Sequence, residues 1–219
     1  MDLEQILKYA PLLLEGLKVT IIISTAGILL SIVTGAVLVA MQRSGIRPLA
    51  VIVRIYTEII LGIPILVLLY VIYFVLPDIG LRLSELAAGL LTLTLYYSPY
   101  MAEIMRGAID AIPSGQLEAA RSVGMSRLQA ARRITVPQAL GLIIPPLTGI
   151  SIGLVKDSAI LSIISVHEFA FETKQVVART YAPFEFWTFA AICYWTILFV
   201  WENGMRSLER RVTRYREAR

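Results

Sequence analysis

Long apolar runs alternate with short charged loops along almost the whole chain. Leu3, Ile6, Leu7 and Ala10 fall at helical spacing before Pro11, which predicts a short amphipathic helix over 1–18 lying on a membrane surface. Five apolar stretches follow, over 19–41, 55–76, 86–105, 140–166 and 184–201. Each is near the roughly 20 residues needed to cross about 30 Å of hydrocarbon. The first is rich in small residues (Ser24, Thr25, Gly27, Ser31, Thr34, Gly35), which let a neighbouring helix approach closely in lipid. The second contains Glu58, Gly62 and Pro64 and is closed by Pro77-Asp78-Ile79-Gly80. The fourth is interrupted by Pro145-Pro146 and by Lys156-Asp157-Ser158. Residues 167–183 are polar enough to lie outside the membrane, and Trp187 and Trp201 stand near the ends of the fifth span, where aromatic belts form. The predicted fold is an all-α integral membrane protein with five transmembrane helices and one long polar loop, 106–138, between spans 3 and 4.

Composition sharpens this. Of 219 residues, 57% are hydrophobic and 16% charged, where a soluble domain carries about one-quarter charged residues. The net charge of +4 is explained by basic loops, with no need for a nucleic-acid partner. The loop at 42–54 holds Arg43, Arg47 and Arg54; the 106–138 loop holds Arg106, Arg121, Arg127, Arg132 and Arg133. The tail adds Arg206, Arg210, Arg211, Arg214, Arg216 and Arg219. Against these, the other side has Lys8, Lys18, Arg82, Lys174 and Arg179. The asymmetry predicts a cytoplasmic C-terminus and an N-terminus outside. Asp2 and Glu4 replace the basic start of a signal peptide. The expected organisation is an extracytoplasmic helix at 1–18, a transmembrane domain at 19–206 and a basic cytoplasmic tail at 207–219.

No hydrolytic machinery is visible. Gly149-x3-Gly153 before Lys156 has the wrong spacing for a phosphate loop and reads as helix packing. One histidine, His167, and one cysteine, Cys193, exclude a clustered metal site, so no enzyme activity and no resident cofactor are expected. His167 reads as a surface or interface residue and Cys193 as apolar packing. Charges within spans carry more information, because an unpaired charge in hydrocarbon is costly and marks a pathway or a pair. Lys156, Asp157 and Ser158 either line a substrate path or end the helix with a Lys156–Asp157 pair, and both readings stand. Glu58 is placed to pair with Arg54, and Glu103 with Arg106; Glu58 also remains a candidate for the path. In the 106–138 loop, Ser114 is placed to cap a helix bearing Leu117, Ala120 and Val123 or Gly124 on one face. Gly124 can end it, and Ser126 can cap the next. The result is a projecting lever or an amphipathic loop lying on anionic lipid.

The run Tyr100-Met101-Ala102-Glu103-Ile104-Met105-Arg106-Gly107-Ala108-Ile109, with Ile112-Pro113-Ser114-Gly115-Gln116-Leu117-Glu118-Ala119-Ala120-Arg121-Ser122-Val123-Gly124 after it, resembles permease subunits of polar amino-acid ABC importers. Gly62-x-Pro64 and Lys156-Asp157-Ser158-Ala159-Ile160-Leu161-Ser162 match as well. The resemblance implies a type I importer fold in a bacterial inner membrane and a transport path formed with a second permease subunit. It also implies a dimer of cytoplasmic ATPases holding ATP and magnesium, and an extracytoplasmic solute-binding protein delivering an amino acid. The coupling residues it implies are Glu118, Ala119, Ala120 and Gly124, with Ile134 and Pro137 on the return of the loop. Where that family carries polar groups in its spans, this chain has Leu61, Ile63, Leu68 and Gly149. Those departures favour a non-identical partner permease that supplies more of the substrate site. The competing readings are an ATP-independent secondary transporter or channel and a membrane scaffold. The absence of matched internal repeats weighs against the former.

Overall fold

The computed structural model describes the backbone of residues 3–217 and the side chains of 4–213; Asp2 and the side chains of Arg214, Arg216 and Arg219 lie outside the described residues. Among the described residues the fold is entirely helical. The helices are α1 (Leu3–Gln42), α2 (Arg47–Gly62), α3 (Ile65–Tyr70), α4 (Glu85–Asp110), α5 (Ser114–Ser122), α6 (Arg127–Ala130), α7 (Val136–Asp157), α8 (Phe169–Thr180) and α9 (Pro183–Glu217). Three helical runs, Glu4–Gln42, Arg127–Ile164 and Pro183–Thr213, are long and apolar enough to cross a membrane, and the bent pair α2–α3 makes up to a fourth. Helix α4 has the length but is made too polar by Tyr96-Tyr97-Ser98-Pro99-Tyr100 and the charges beyond.

Several expected boundaries are corrected. The helix predicted over 1–18 is not separate, since α1 runs unbroken through Pro11 into the first span. Pro11 sits on an exposed face, while Ile6 and Leu13 on either side are buried against Phe169 and Phe186, so packing holds the helix across the missing hydrogen bond. The second span is not straight. Pro64 cannot donate and drives Ile63 to extended geometry (φ −110°, ψ 130°), so α2 and the run Ile65–Ile79 that begins with α3 meet at 106°. Beyond α3 the chain relaxes through a π turn (Val71–Val75) and a 3-10 turn (Leu76–Ile79) that stops at Gly80, φ +90°.

Pro145-Pro146 does not interrupt α7. Both prolines are exposed, while Gly141 and Ile144 just before them are buried. The helix ends instead at Asp157 and tightens into a 3-10 segment, Ser158–Ile164. The loop expected to return at 138 is already helical from Arg127, where a π turn (Ala131–Thr135) joins α6 to α7. The wider turn accommodates Pro137, which has no N–H to give. The supposed tail boundary at 207 falls inside α9.

Two larger and two smaller apolar cores hold the described residues together. In the largest, Leu93 and Tyr97 of α4, Leu154 and Val155 of α7 and Leu69 of α3 pack with Ile23 and Ile28 of α1. Gly35 of α1 makes the approach to α4 possible: a Cβ there would stand 2.7 Å from Met101 Cβ and 3.0 Å from the Ala102 backbone nitrogen. The second core is separate and joins the start of α1 to α8 and the start of α9.

Candidate functional site

The α5–α6 lever is built mostly from local bonds. Pro113, not Ser114, occupies the cap position of α5, and no side chain caps that end. Gly124 ends α5 at φ +80°, with its N–H donating to Arg121 O at 2.9 Å. No atom would meet a Cβ there, so glycine is required by the left-handed backbone alone. Ser126 caps α6 and Gln129 reaches back to the Ser126 N–H at 2.9 Å, a full capping box. Gln138 of α7 donates to Gln116 of α5 and ties the two arms. At its root, Ile112 is buried with Ala108 and Ala139, seating the lever between α4 and α7.

The predicted apolar face of α5 splits. Ala120 is 3% exposed and turned into the fold, while Val123 is 73% exposed and Leu128 on α6 68%. Glu118 and Ala119 are exposed, Ile134 is half-buried in the π turn, and Pro137 is exposed at the start of α7. Val123 and Leu128 are thus bare apolar side chains on an otherwise polar projection, and nothing among the described residues covers them.

The intramembrane charges sort differently. Asp157 accepts from the Tyr97 hydroxyl at 2.7 Å, so of the two readings the Lys156–Asp157 pair gives way to a bond between α4 and α7. Lys156 is exposed and has no ion pair among the described residues. Gly153 leaves room for Tyr97, whose hydroxyl would be 3.3 Å from a Cβ there, while Gly149 faces open space. Tyr96, Tyr97 and Tyr100 pack together, ring centroids 5.4–6.0 Å apart. Ser158 is buried and its hydroxyl is spent on Val155 O at 2.8 Å. Glu58 meets Arg54 at 2.8 Å on an exposed face of α2, and Arg106 donates to Glu103. Of the departures noted in the spans, Leu61 and Gly149 are exposed but Leu68 lies in the core.

Glu168 escaped the sequence reading. It is fully buried, caps α8 through the N–H groups of Ala170 (2.9 Å) and Phe171 (2.8 Å), and accepts from Thr20 of α1 (3.2 Å) and Tyr194 of α9 (3.1 Å). Burial pushes its carboxyl up, and these four bonds pull it part of the way back. No local pattern signals it, because Thr20 is 148 residues away. His167, as expected, is on the surface, its Nδ1 2.7 Å from Glu172 Oε1. Cys193 packs against the second core.

Residues 27–214 match the family described as the binding-protein-dependent transport system inner membrane component. The chain belongs to this family. The permease is 34% identical over 199 residues to the probable glutamine ABC transporter permease protein GlnM of Bacillus subtilis (strain 168), covering 91% of this chain and 92% of that one. It is 33% identical over 204 residues to the glutamine transport system permease protein GlnP of Escherichia coli (strain K12), covering 92% and 93%. Its structure matches the crystal structure of an amino acid ABC transporter with histidines at TM-score 0.88 and 33% identity, covering 96% of this chain and 99% of the other. The inward-facing MetNI methionine ABC transporter, at 22% identity and TM-score 0.78 over 94% and 98%, shares the fold. The permease is therefore an integral membrane subunit of type I importer fold and not an enzyme; an ATPase and a binding protein are its partners.

Proposed function

We propose that this chain is the membrane-spanning subunit of an ATP-driven amino-acid importer, and that the α5–α6 lever docks on a cytoplasmic ATPase and converts its closure into movement of α4 and α7. The observation that carries the coupling role is the pair of exposed apolar side chains, Val123 and Leu128, on a short capped lever rooted in both helices. Glu118, Ala119, Ala120 and Gly124 shape the docking helix, and Ile134 and Pro137 its return. ATP and magnesium sit on the ATPase dimer, and this chain carries no cofactor.

The same reading has five spans, with α2–α3 as one bent span and α4 shielded from lipid by its neighbours, an extracytoplasmic N-terminus and a cytoplasmic C-terminus. Broken backbone at membrane depth is tolerated where protein or a water-filled path covers it, which supports a path beside the Gly62–Pro64 bend. Of the residues expected on the path, Glu58, Lys156 and Asp157 form the lining set, with Asp157 and its Tyr97 partner at the centre, while Ser158 is buried behind them with its hydroxyl on Val155 O. A solute-binding protein delivers the amino acid from outside, and a non-identical second permease completes the path, in keeping with the apolar Leu61 and Gly149 positions. The relatives' names support an amino acid as cargo.

The test is to solubilise the tagged permease from its native membrane and identify its companions, with Val123→Asp alongside. An ATPase and a second permease accompanying wild type, with the ATPase lost from the variant, is the expected result. A permease that purifies alone and moves amino acids into vesicles without ATP would replace this reading with a secondary transporter.

A further inference from the structure

Asp110 is the last residue of α4, and only Ala111, Ile112 and Pro113 separate it from α5. Its carboxylate is shared. Oδ1 accepts from Arg43 Nη1, 67 residues away, and Oδ2 lies 3.5 Å from Arg106 Nη1. The other Arg106 nitrogen, Nη2, donates to Glu103. Arg43 is thus the one member of this four-charge group that comes from another helix. It stands one residue past the end of α1, and its own backbone is fixed, with N–H to Val39 O at 3.0 Å and a stop at Gly45, φ +79°. Beneath it Leu38 and Val39 of α1, Val53 of α2 and Ala102 of α4 form a small buried core, about one turn along α1 from the tight contact of Gly35 with Met101 and Ala102.

The root of the lever therefore has two attachments of different kinds. One is apolar, Ile112 and Ala108 on Ala139, and leads to α7. The other is ionic and leads to α1. We propose that Arg43 and Asp110 form a strut that carries movement of the lever into α1, making both positioning residues for coupling; this rests on the importer reading above. The side chains of both are about half exposed, 47% and 48%. Ion pairs of that exposure contribute little to folding. A pair that holds two helix ends in register at the base of a lever has a use that its small stabilisation does not account for. The pair resists both shear and separation of the two ends, which apolar contact at Ile112 does not do for α1.

The experiment uses the complete complex in vesicles, with its ATPase and binding protein, and reads two rates on one sample: ATP hydrolysis and uptake of a radiolabelled amino-acid mixture. Arg43→Asp and Asp110→Arg are each expected to lower uptake per ATP hydrolysed by about tenfold, the range of coupling changes seen for residues between sites. The double swap restores an attractive pair and is expected to recover most of that ratio. Arg43→Gln, which removes only the charge, reads the same ratio without creating repulsion and is expected to lower it as well. A ratio unchanged in Arg43→Gln and both single variants, or a double swap no better than either, overturns the strut. Hydrolysis and uptake falling in step also overturns it, because that pattern belongs to a merely structural contact. Wild-type complex lacking ATP-driven uptake is a different result: it removes the importer reading, and the strut with it.

Discussion

At the corner where α1, α8 and α9 meet, a buried carboxylate gathers four hydrogen bonds, two from the adjoining α8 N-terminus and two from Thr20 and Tyr194, 148 and 26 residues away, while the α5–α6 lever is fastened mainly by bonds spanning three or four residues. The corner is dry: Phe169, Val176 and Phe186 are almost fully covered, and Gly16 of α1 lies so close to α8 that a Cβ would stand 2.9 Å from the Glu172 side chain. The lever is wet and shows Val123 and Leu128 outward. A buried, bonded carboxylate is costly to disturb, because any change leaves several groups without partners. Short capped helices with exposed bonds can tilt as a unit at modest cost. The contrast separates a part that holds its shape from a part that is shaped to be moved.

The comparison breaks most sharply at Gly124. Gly124→Asp is expected to abolish ATP-driven uptake while the permease still inserts and assembles, measured by vesicle uptake beside size-exclusion profiles; retained uptake would remove the lever from the mechanism. Glu168→Ala is the reverse case. It strips the carboxylate from Thr20, Tyr194 and the α8 N-terminus and is expected to cost about 3 kcal/mol, seen as a lower midpoint of denaturant unfolding in detergent. An unchanged midpoint would mean the corner is no clamp. Gly35→Ala, placing a methyl against Met101 and the Ala102 backbone, is expected to cost about 1–3 kcal/mol by overpacking α1 on α4. Glu58→Gln sits at the small end, since its bond to Arg54 is exposed. Its unfolding midpoint is expected to stay put, and its uptake to fall less than that of Asp157→Asn, in parallel assays.

Much of the lever was legible because its determinants are local. Gly124 as a stop and Ser126 as a cap are set by residues within four positions, and the structure has both. Ser114 misled because Pro113 already fixes the entry geometry one residue earlier. The prolines at 11, 145 and 146 misled for another reason. Each was read as a break, but a proline on an uncovered face frees a carbonyl without undoing the packing on the other side. At Pro64, with Gly62 before it, Ile63 is extended and the same residue type does bend the chain. Glu103–Arg106 and Arg54–Glu58 could be paired from spacing alone, whereas spacing left Asp157 between a pair with Lys156 and a place on the path, and it bonds to Tyr97, 60 residues earlier.

The sequence by itself determined that this is a helical membrane protein, that Gly124 turns the lever and Ser126 caps its second helix, and the importer resemblance to which the chain's family membership corresponds. Those properties follow from hydropathy, turn chemistry and contiguous motif, all of which act within a few residues. Only the tertiary structure decided that Glu168 joins three helices, that Tyr97 takes Asp157, and that Arg43 reaches the base of the lever. A hydrogen bond depends on distance in space. The chain carries no local mark of which helix will lie beside which until close packing, such as Gly35 on Met101, has brought them together.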